Sequence, residues 1–550
     1  MLPEAQQINS RPPAVVLPTP PSDEEKYSYL NGRRLPIYFF GVLAFLSLHL
    51  SAWLFALSSP EFYWFGAFAA VVQVYHLLWY PIAFTGRDFD FSNHKQTLHN
   101  YAVTPEDEPS VDIFLPCCNE PLEILENTYT YVSQLDYTNL RIWVLDDGAR
   151  PVVASLAQSK FGFGYMQRPD RLLGKAGNLR HAFTRTSGEF FAIFDTDFCP
   201  RRDFLREVVP VMRRYTDAAI VQTPQYFRVS KAQTWVEQGA GPQVEVPFRV
   251  DQVNRDRLGA TACVGSNALY RRDALKEVQG TFAIAYSEDE HTGFQMIKRG
   301  WQVKYLPLPM ACGTCPDSAQ VYFSQQVRWC ATAPTLVYQR DFWHANLRFM
   351  QRLCWVAPLF GYNANALFPF LWPLPALLLA WFRPELVRWY WWGLVLPTIF
   401  NSLVVRRLWS RQGYGVNTVY LNAVQQYAHL TSLSDHLFGT FSGWVASGDA
   451  TATANANPDS NSISASAAGM DDESTPLLGA NAKSSSSSAA ASKYNHMRLL
   501  CALWVYGTTV ALVAGVGLQI TRGYRWYEFV PALMCAVYEV WRTWAFVWWV

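Results

Sequence analysis

Two short clusters of aspartates could carry the chemistry of this protein. Asp146 and Asp147 directly follow one short apolar run, and Asp195 and Asp197 directly follow another. Carboxylates at the end of a buried strand can hold Mg²⁺, which is commonly bound by one or two carboxylates together with substrate phosphates. The alternative is structural, because Asp-Gly and Asp-x-Asp are also frequent turn and helix-cap sequences. Two such clusters in one domain favour a functional site.

The elements that must position these acids alternate between strands and helices. Short apolar runs at residues 111–115, 140–145, 190–194 and 218–221 predict strands, and a helical pattern of apolar residues follows the first run. This rhythm predicts a mostly parallel α/β sheet with helices on both faces. Ligands of open α/β sheets bind at the carboxyl ends of the strands. Both acidic clusters therefore lie where a ligand is expected.

The composition indicates a membrane protein. The 550 residues contain 45 Lys and Arg against 44 Asp and Glu, which gives a formal net charge of +1. Half the residues are hydrophobic and only 16% are charged, whereas soluble domains usually carry about 25% charged residues. Because there is no basic excess to neutralise phosphates, nucleic acid is not expected as a partner. The lipid bilayer is the expected partner instead.

Apolar stretches long enough to be considered as membrane spans are found outside the region of the acids. They are residues 35–57, 62–86, 362–382, 389–405, 499–521 and 529–550. The residues from Leu353 up to the third stretch are expected to lie at the membrane interface. The last stretch contains Glu539 and Arg542, which can pair at i, i+3 inside a helix bundle.

Six spans would place both termini and the central region on the same side of the membrane. The flanks on that side hold most of the basic residues: Arg33, Arg34, Arg87, Lys95, Arg406, Arg407, Arg411, Lys493 and Arg498. The opposite loops hold only Arg383, Arg388, Arg522 and Arg525. The positive-inside rule therefore predicts that the termini and the central domain are cytosolic, in a multi-pass protein of the plasma membrane.

The predicted organisation has six parts. They are a disordered cytosolic tail (1–34), a hairpin of two spans (35–86), a cytosolic domain (87–341), interfacial helices with two spans (342–445), a low-complexity disordered loop (446–494) and two C-terminal spans (495–550). The tail is proline-rich and the loop is rich in Ser, Ala and Asn, compositions that cannot bury a core. These two segments also suggest a eukaryotic, fungal source.

The order of five motifs resembles that of processive family 2 glycosyltransferases, in particular cellulose synthases and their chitin and hyaluronan synthase relatives. The motifs are Asp146-Asp147-Gly148, Lys175-Ala176-Gly177-Asn178, Asp195-Thr196-Asp197, Ser287-Glu288-Asp289 and Gln325-Gln326-Val327-Arg328-Trp329. The resemblance implies a GT-A-type nucleotide-diphospho-sugar transferase domain, inserted in a multi-span helical membrane domain.

The resemblance also implies a donor site for a UDP-sugar. Asp146 and Asp147 would contact the nucleotide, and Lys175 would supply a positive point charge near its phosphates. Asp195 and Asp197 would hold the diphosphate through Mg²⁺ or Mn²⁺, and the metal would stabilise charge on the leaving UDP.

The remaining two motifs correspond to a general base and an acceptor site. Asp289 would take the proton from the acceptor hydroxyl. Gln325, Arg328 and Trp329 would form the acceptor site, in which the indole face suits a sugar ring. A lone Gln-x-x-Arg-Trp could instead belong to an amphipathic helix lying against the membrane.

The activity implied by the resemblance is inverting polymerisation of a β-linked polysaccharide from a UDP-sugar in the cytosol, with secretion of the growing chain. UDP-glucose and a cellulose-like or mixed-linkage β-glucan are favoured. One alternative is a chitin- or hyaluronan-type synthase that uses UDP-GlcNAc. An alternative of another class is a non-catalytic membrane scaffold or transporter.

Overall fold

A computed structural model describes residues 16–285, 287–439 and 487–549 of the chain. Its strands all lie in the central region. They are β1 Val111–Cys117, β2 Leu140–Asp146, β3 Gly164–Met166, β4 Phe190–Ile193, β5 Cys199–Pro200, β6 Ala218–Gln222, β7 Tyr226–Phe227, β8 Ala268–Arg271, β9 Gln302–Tyr305 and β10 Ala311–Gly313.

The α-helices surround these strands and extend away from them. They are α1 Asp23–Lys26, α2 Arg34–Ala56, α3 Phe65–Phe84, α4 Phe91–Asn100, α5 Leu122–Val132, α6 Pro151–Ser155, α7 Gly174–Phe183, α8 Phe204–Arg214, α9 Trp235–Gln243, α10 Gln252–Leu258, α11 Arg272–Leu275, α12 Glu288–Lys298, α13 Ala319–Val337, α14 Arg340–His344, α15 Phe349–Leu371, α16 Leu374–Phe382, α17 Trp392–Phe400, α18 Arg406–Trp409, α19 Val416–Phe438, α20 Ser487–Thr521 and α21 Val530–Trp548.

Seven strands form the main sheet, in the order β3–β2–β1–β4–β8–β6–β9. All neighbours are parallel except β8, which is antiparallel to both β4 and β6. The predicted mostly parallel α/β sheet is confirmed, and the four strands predicted from apolar runs are β1, β2, β4 and β6. A second, three-stranded sheet has the order β5–β10–β7.

Helices cover both faces of the main sheet because side chains of a strand alternate between the faces. On β1, Ile113 and Leu115 pack in one buried apolar cluster with residues of α5 and α8. Phe114 packs in a second cluster, which includes residues of α7 and α12. The second cluster fixes α7 and α12, the helices whose N-terminal ends carry Lys175 and Asp289.

Four helical stretches of the described chain are long and apolar enough to cross a membrane. They are Arg34–Ala56, Phe65–Phe84, Phe349–Phe382 and Ala490–Thr521. The other two predicted spans fall on the short helix α17 with its continuation, and on α21, which contains Glu539 and Arg542. That these two also cross the membrane stays a prediction.

No break in the helix marks the predicted change from an interfacial segment to a span near residue 362, and the location of that change stays a prediction. A single helix, α15, runs from Phe349 to Leu371 and contains Pro358 and Pro369. It packs along α3, where a Cβ atom added to Gly361 would lie 2.8 Å from Cε2 of Tyr75. The close packing of two long helices stabilises a continuous helix in spite of its prolines.

The prediction of a disordered N-terminal tail is wrong for its second half, whereas residues 1–15 lie outside the described residues. Residues 16–33, the N-terminal strap, lie across the central domain. The buried Lys26 ammonium lies 2.6 Å from Asp203 and 2.5 Å from Glu207, and Tyr29 is buried. The composition of the strap predicted disorder, but residues from distant parts of the chain hold it in place. Local composition does not reveal such contacts.

The predicted disordered loop 446–494 lies largely outside the described residues. Its last eight residues are helical, because α20 begins at Ser487 and continues without interruption to Thr521. Lys493 donates two hydrogen bonds of 2.7 Å to the carboxylate of Asp435 at the end of α19. The predicted boundary of the loop at residue 494 is therefore wrong, because residues 487–494 are helical.

A buried ion pair joins the central domain to the helical region. Arg249 and Glu245 are both fully buried, with Nη1 and Oε1 2.6 Å apart. Glu245 also accepts hydrogen bonds from Ser410 and Arg411, which follow α18. Arg249 donates to the carbonyl of Asn31 in the N-terminal strap. One ion pair thus ties the domain to the strap and to the helices.

Candidate active site

The acidic residues of the sequence motifs lie along one edge of the main sheet. Asp146 ends β2, Asp195 follows β4, and β1 lies between these two strands. Since the three strands are parallel, their carboxyl ends lie at the same edge. The edge therefore gathers Asp146, the loop after β1 and the Asp195-Thr196-Asp197 segment.

Lys175 links three segments of this edge. Its Nζ donates a hydrogen bond to Oδ1 of Asp195 and a second one, of 3.3 Å, to the carbonyl of Gly265. The same atom lies 4.0 Å from Oε1 of Glu288. Burial opposes a charge on Lys175, but the nearby carboxylates of Asp195 and Glu288 outweigh it and raise the pKa of the lysine. The ammonium is therefore held charged beside two acids.

Asp289 lies in the first turn of α12, next to the Gly265 loop. Gly265 has φ +76°, and a Cβ atom placed on it would lie 2.8 Å from Oδ2 of Asp289. A side chain at position 265 would therefore collide with the carboxylate as well as strain the backbone. Burial, reinforced by Glu290, raises the pKa of Asp289, and burial also raises the pKa of Glu288. A buried carboxylate of this kind is a stronger base than an exposed one.

The carboxylates of Asp146 and Asp147, at the end of β2, already accept hydrogen bonds from neighbouring residues. Oδ1 of Asp146 accepts from the amide of Gly148, and its Oδ2 accepts from the amide of Arg150 and from the hydroxyl of Tyr165. Both oxygens of Asp147 accept from Arg168, each at 2.7 Å. Neither carboxylate has a hydrogen bond to Lys175 among the described contacts. Their predicted contacts with a nucleotide stay predictions.

Asp197 lies in the segment between β4 and β5. Its Oδ2 accepts a hydrogen bond of 3.0 Å from Thr314. Burial, together with the negative charge of Asp195, raises the pKa of Asp197 to about 6. A divalent cation between the two carboxylates would relieve this repulsion, and oxygen donors are those that Mg²⁺ and Mn²⁺ prefer.

Asp195 and Asp197 fit a cation that is bound partly by the protein and partly by a bound substrate. Within the described ranges, no group of three or more His, Cys, Asp or Glu side chains could hold a metal ion. Asp195 and Asp197 would therefore supply two ligands, and phosphates and water would supply the others.

The predicted acceptor residues lie on α13, which contacts the start of α12. The hydroxyls of Ser287 and Thr332 share a hydrogen bond, and His291 is hydrogen-bonded to Thr335 over 3.2 Å. Thr332 is three residues after Trp329 and four after Arg328, so these side chains lie on neighbouring positions of one helix face. The structure thus brings the helix of the acceptor motif against the turn that carries Asp289.

The side chains of the acceptor motif differ in exposure. Trp329 is 39% exposed, whereas Gln325 and Arg328 are half-buried. Burial lowers the pKa of Arg328 to about 10, so its guanidinium is still charged at neutral pH. An exposed indole beside a charged guanidinium can contact a sugar ring and its hydroxyls.

Two residues at the same edge were missed in the sequence. Burial raises the pKa of Glu120, in the loop after β1, to about 7. Arg150 has two buried guanidinium nitrogens, Nε and Nη2, without a hydrogen-bond partner among the described residues. An unpaired buried donor is costly, so these atoms are expected to meet a ligand. The position of Arg150 just after Asp146-Asp147-Gly148 is the sequence signal that could have found it.

Part of the region that holds this edge matches a known family. Residues 112–279 match the model of glycosyl transferase family 2. The matched segment runs from the second residue of β1 to beyond β8 and contains Asp146, Lys175, Asp195 and Asp197. Asp289 and the acceptor motif follow the matched segment. The mostly parallel α/β sheet, with apolar helices before and after it in the chain, is as predicted.

About half of the chain is also similar to curated bacterial proteins. The cellulose synthase catalytic subunit (UDP-forming) of Xanthomonas axonopodis pv. citri is 31% identical over 279 residues, which cover 49% of this chain and 37% of that protein. Cellulose synthase 1 of Komagataeibacter xylinus is 33% identical over 263 residues, 46% of this chain and 17% of that protein. This chain thus spans well under half the length of these relatives.

A solved structure is also similar to part of this chain. A mannosyltransferase from Pyrobaculum calidifontis, in complex with GDP-Man and Mn²⁺, has 16% sequence identity and a TM-score of 0.47, and covers 68% of this chain and 99% of that structure.

Proposed function

We propose that this chain is a membrane-embedded inverting glycosyltransferase that transfers glucose from UDP-glucose to the end of a growing β-glucan. The observation that carries the proposal is the convergence of Lys175, Asp195 and Asp289 on the loop at Gly265. Lys175, Asp195 and Gly265 lie in the segment that matches glycosyl transferase family 2, Asp289 follows that segment, and about half of the chain is similar to cellulose synthases.

The donor diphosphate would lie between Lys175 and the Asp195-Thr196-Asp197 segment. The ammonium of Lys175 would donate to a phosphate oxygen in addition to Asp195, and the unpaired nitrogens of Arg150 would reach another oxygen of the nucleotide. Asp195 and Asp197 would hold Mg²⁺ or Mn²⁺, which when bound supplies Lewis-acid stabilisation of negative charge on the departing UDP.

Asp289 would act as the general base of the transfer. Its carboxylate takes the proton of the acceptor hydroxyl while that oxygen attacks C1 of the glucose from the side opposite UDP. The bond between C1 and the acceptor oxygen forms, the bond between C1 and the diphosphate oxygen breaks, and UDP leaves with the electron pair. An α-linked donor therefore gives a β-linked product.

The acceptor end of the polymer would lie against α13. The exposed face of Trp329 would pack against a glucose ring, and Gln325 and Arg328 would donate to its hydroxyls. The contact between Ser287 and Thr332 fixes this helix relative to Asp289. The growing polymer would then pass through the helical region to the other side of the bilayer, with the domain and both termini in the cytosol.

A donor screen with linkage analysis tests this proposal. Membranes that contain the full chain are supplied with UDP-glucose, UDP-GlcNAc or other UDP-sugars, and released UDP and the linkage of the product are measured. Release with UDP-glucose and a β-glucan product would support the proposal. Release with UDP-GlcNAc would assign a chitin- or hyaluronan-type synthase. No release with any common donor would favour the scaffold or transporter alternative.

A further inference from the structure

A polar cavity lies at the opposite end of α12 from Asp289. Its volume is about 480 Å³, and its polar lining includes Asp256, Arg257, Lys304, Asn346, Arg348 and Gln351. Ile297, in the last turn of α12, and Gly300, just after that helix, also line it. An 11-residue helix is about 16 Å long, so this cavity is separate from the candidate active site.

The charged side chains of the cavity are three cations and one carboxylate. Lys304 lies 3.3 Å from Asp256 and balances its charge. Arg257 and Arg348 donate only to backbone carbonyls, of Thr85 and Leu258 respectively. Neither arginine forms an ion pair within the described ranges. The cavity thus keeps a surplus of two positive charges, which attracts an anionic ligand; a dianion would balance the surplus and a monoanion would halve it.

The cavity lies at the level where the apolar helices begin and end. Arg348 directly precedes Phe349, the first residue of the apolar stretch Phe349–Phe382, and Thr85 directly follows Phe84, the last residue of α3. Ile82 of α3 and Leu353 of α15 pack in one apolar cluster, so the two helix ends lie side by side.

The surface next to the cavity is apolar and exposed. Phe84 is 61% exposed and Phe349 is 77% exposed. Large exposed aromatic residues at the ends of two apolar helices are typical of the boundary between lipid tails and headgroups. The two unpaired arginines therefore lie where the phosphates of a membrane leaflet are expected.

We infer that this cavity binds the phosphate-bearing headgroup of an anionic membrane lipid. Arg257 and Arg348 supply the positive charge, and Asn346 and Gln351 supply uncharged donors for further headgroup oxygens. The lipid tails would extend over Phe84 and Phe349 along α3 and α15. The bound lipid would join the domain to the membrane at the C-terminal end of α12, the helix that carries Asp289 in its first turn. This inference does not depend on the proposed sugar transfer.

Lipid retention by the purified full chain tests the inference. The protein is reconstituted in nanodiscs of phosphatidylcholine with or without phosphatidylinositol, extracted in mild detergent, and the retained lipid is counted by native mass spectrometry. We expect retained phosphatidylinositol on the wild type. The double variant Arg257→Gln/Arg348→Gln should bind the lipid roughly 30-fold more weakly and retain correspondingly less of it, since each basic residue near a lipid surface adds a factor of about five to the affinity.

Two further variants and one wash test whether lost lipid retention reflects general surface charge, a loss of fold or the binding of a soluble phosphate. Arg185→Gln/Arg340→Gln removes the same charge from exposed arginines outside the cavity and should retain lipid like the wild type. Asn346→Asp adds one negative charge at an exposed lining residue and should weaken retention with no loss of fold. A wash with inorganic phosphate should leave the lipid bound.

Three results would overturn the inference. The first is equal retention by the wild type, the Arg257→Gln/Arg348→Gln variant and the Asn346→Asp variant. The second is equal loss in the control double variant, which would reduce the effect to general surface charge. The third is full displacement by inorganic phosphate, which would assign the cavity to a soluble phosphate and not to a lipid.

Discussion

Lys175, at the start of α7, donates a hydrogen bond to Asp195, which follows β4. Helix α7 connects β3 to β4, and these two strands lie on opposite sides of β1 in the sheet. The same Nζ lies 4.0 Å from Glu288, the residue before Asp289. One cation thus contacts the strand end proposed to hold the donor and the helix start proposed to supply the base. Loss of this cation should affect donor binding first.

Neutralising Lys175 should weaken use of the donor. In Lys175→Met the stem is kept and the charge is lost, so a charge-assisted contact to the diphosphate worth about 1.5–3 kcal/mol disappears. We expect kcat/KM for UDP-glucose to fall by roughly 10- to 150-fold. Lys160→Met, at an exposed lysine paired with Glu126, is the matched control. Equal kcat/KM in the two variants would remove Lys175 from the donor site.

The rate should fall on acidification at a higher pH than an ordinary aspartate would cause. Burial, reinforced by Glu290, raises the pKa of Asp289 to about 6, and burial also raises the pKa of the neighbouring Glu288. A raised carboxyl pKa means that the neutral form persists to higher pH, and the proposed role of Asp289 as the base needs the carboxylate. Activity should therefore be full near pH 8 and fall as the pH drops through about 6.

Initial rates of UDP release across this pH range give the measurement. Enzyme held at low pH and then assayed near neutral pH should recover its rate, which separates titration from denaturation. A rate that stays constant down to about pH 4.5 would contradict the assigned role of Asp289.

Arg150 should contribute to recognition of the nucleotide. Its Nε and Nη2 are buried without a partner among the described residues, so a bound ligand that accepts from them would recover their desolvation cost. We expect Arg150→Lys, which keeps the charge but loses the forked donors, to raise KM for the donor about tenfold with a small change in kcat.

The competitive inhibition constant of UDP should rise by the same factor in Arg150→Lys. Arg141→Lys, at an exposed arginine of β2, is the control. If UDP binds to Arg150→Lys as tightly as to the wild type, the unpaired nitrogens of Arg150 do not contact the nucleotide.

The buried pair Arg249–Glu245 should stabilise the junction of domain, strap and helices. Arg249→Met would leave Glu245 buried without its cation, a loss that usually costs about 3–5 kcal/mol. The midpoint of thermal unfolding in detergent should drop clearly in Arg249→Met and recover in part in Glu245→Gln/Arg249→Met. Arg299→Gln, which breaks a pair with the mostly exposed Glu277, should have little effect. Equal effects of the buried and the exposed substitution would contradict this account.

Much of the site edge could be predicted from the sequence because it depends on local pattern. Asp146 and Asp195 end or follow apolar runs, and a strand followed by an acid needs only a few neighbouring residues to be recognised. The contact of Lys175 with Asp195 and Gly265 depends instead on the antiparallel strand β8 between β4 and β6. No pattern of the single sequence specifies that order.

The order of the N-terminal strap and the burial of α19 could not be predicted from the sequence for a related reason. Lys26 is buried only because Asp203 and Glu207, 177 and 181 residues later, surround it. In α19 the buried face includes Gln426, His429 and Asp435, so the helix lacks the apolar pattern by which buried helices are found. Its polar residues find partners on neighbouring helices: Asn365 on α15 is hydrogen-bonded to His429.

Incorporation of labelled glucose by Asp289→Asn tests the central claim most directly. Membranes with the wild-type chain should convert UDP-[¹⁴C]glucose into an insoluble polymer that a β-glucanase degrades, with release of UDP. Asp289→Asn should still bind UDP but lose roughly 10²- to 10⁴-fold in rate, while Asp273→Asn, at an exposed aspartate paired with Lys276, should keep the wild-type rate. Full polymer synthesis by Asp289→Asn, or none by the wild type, would contradict the account.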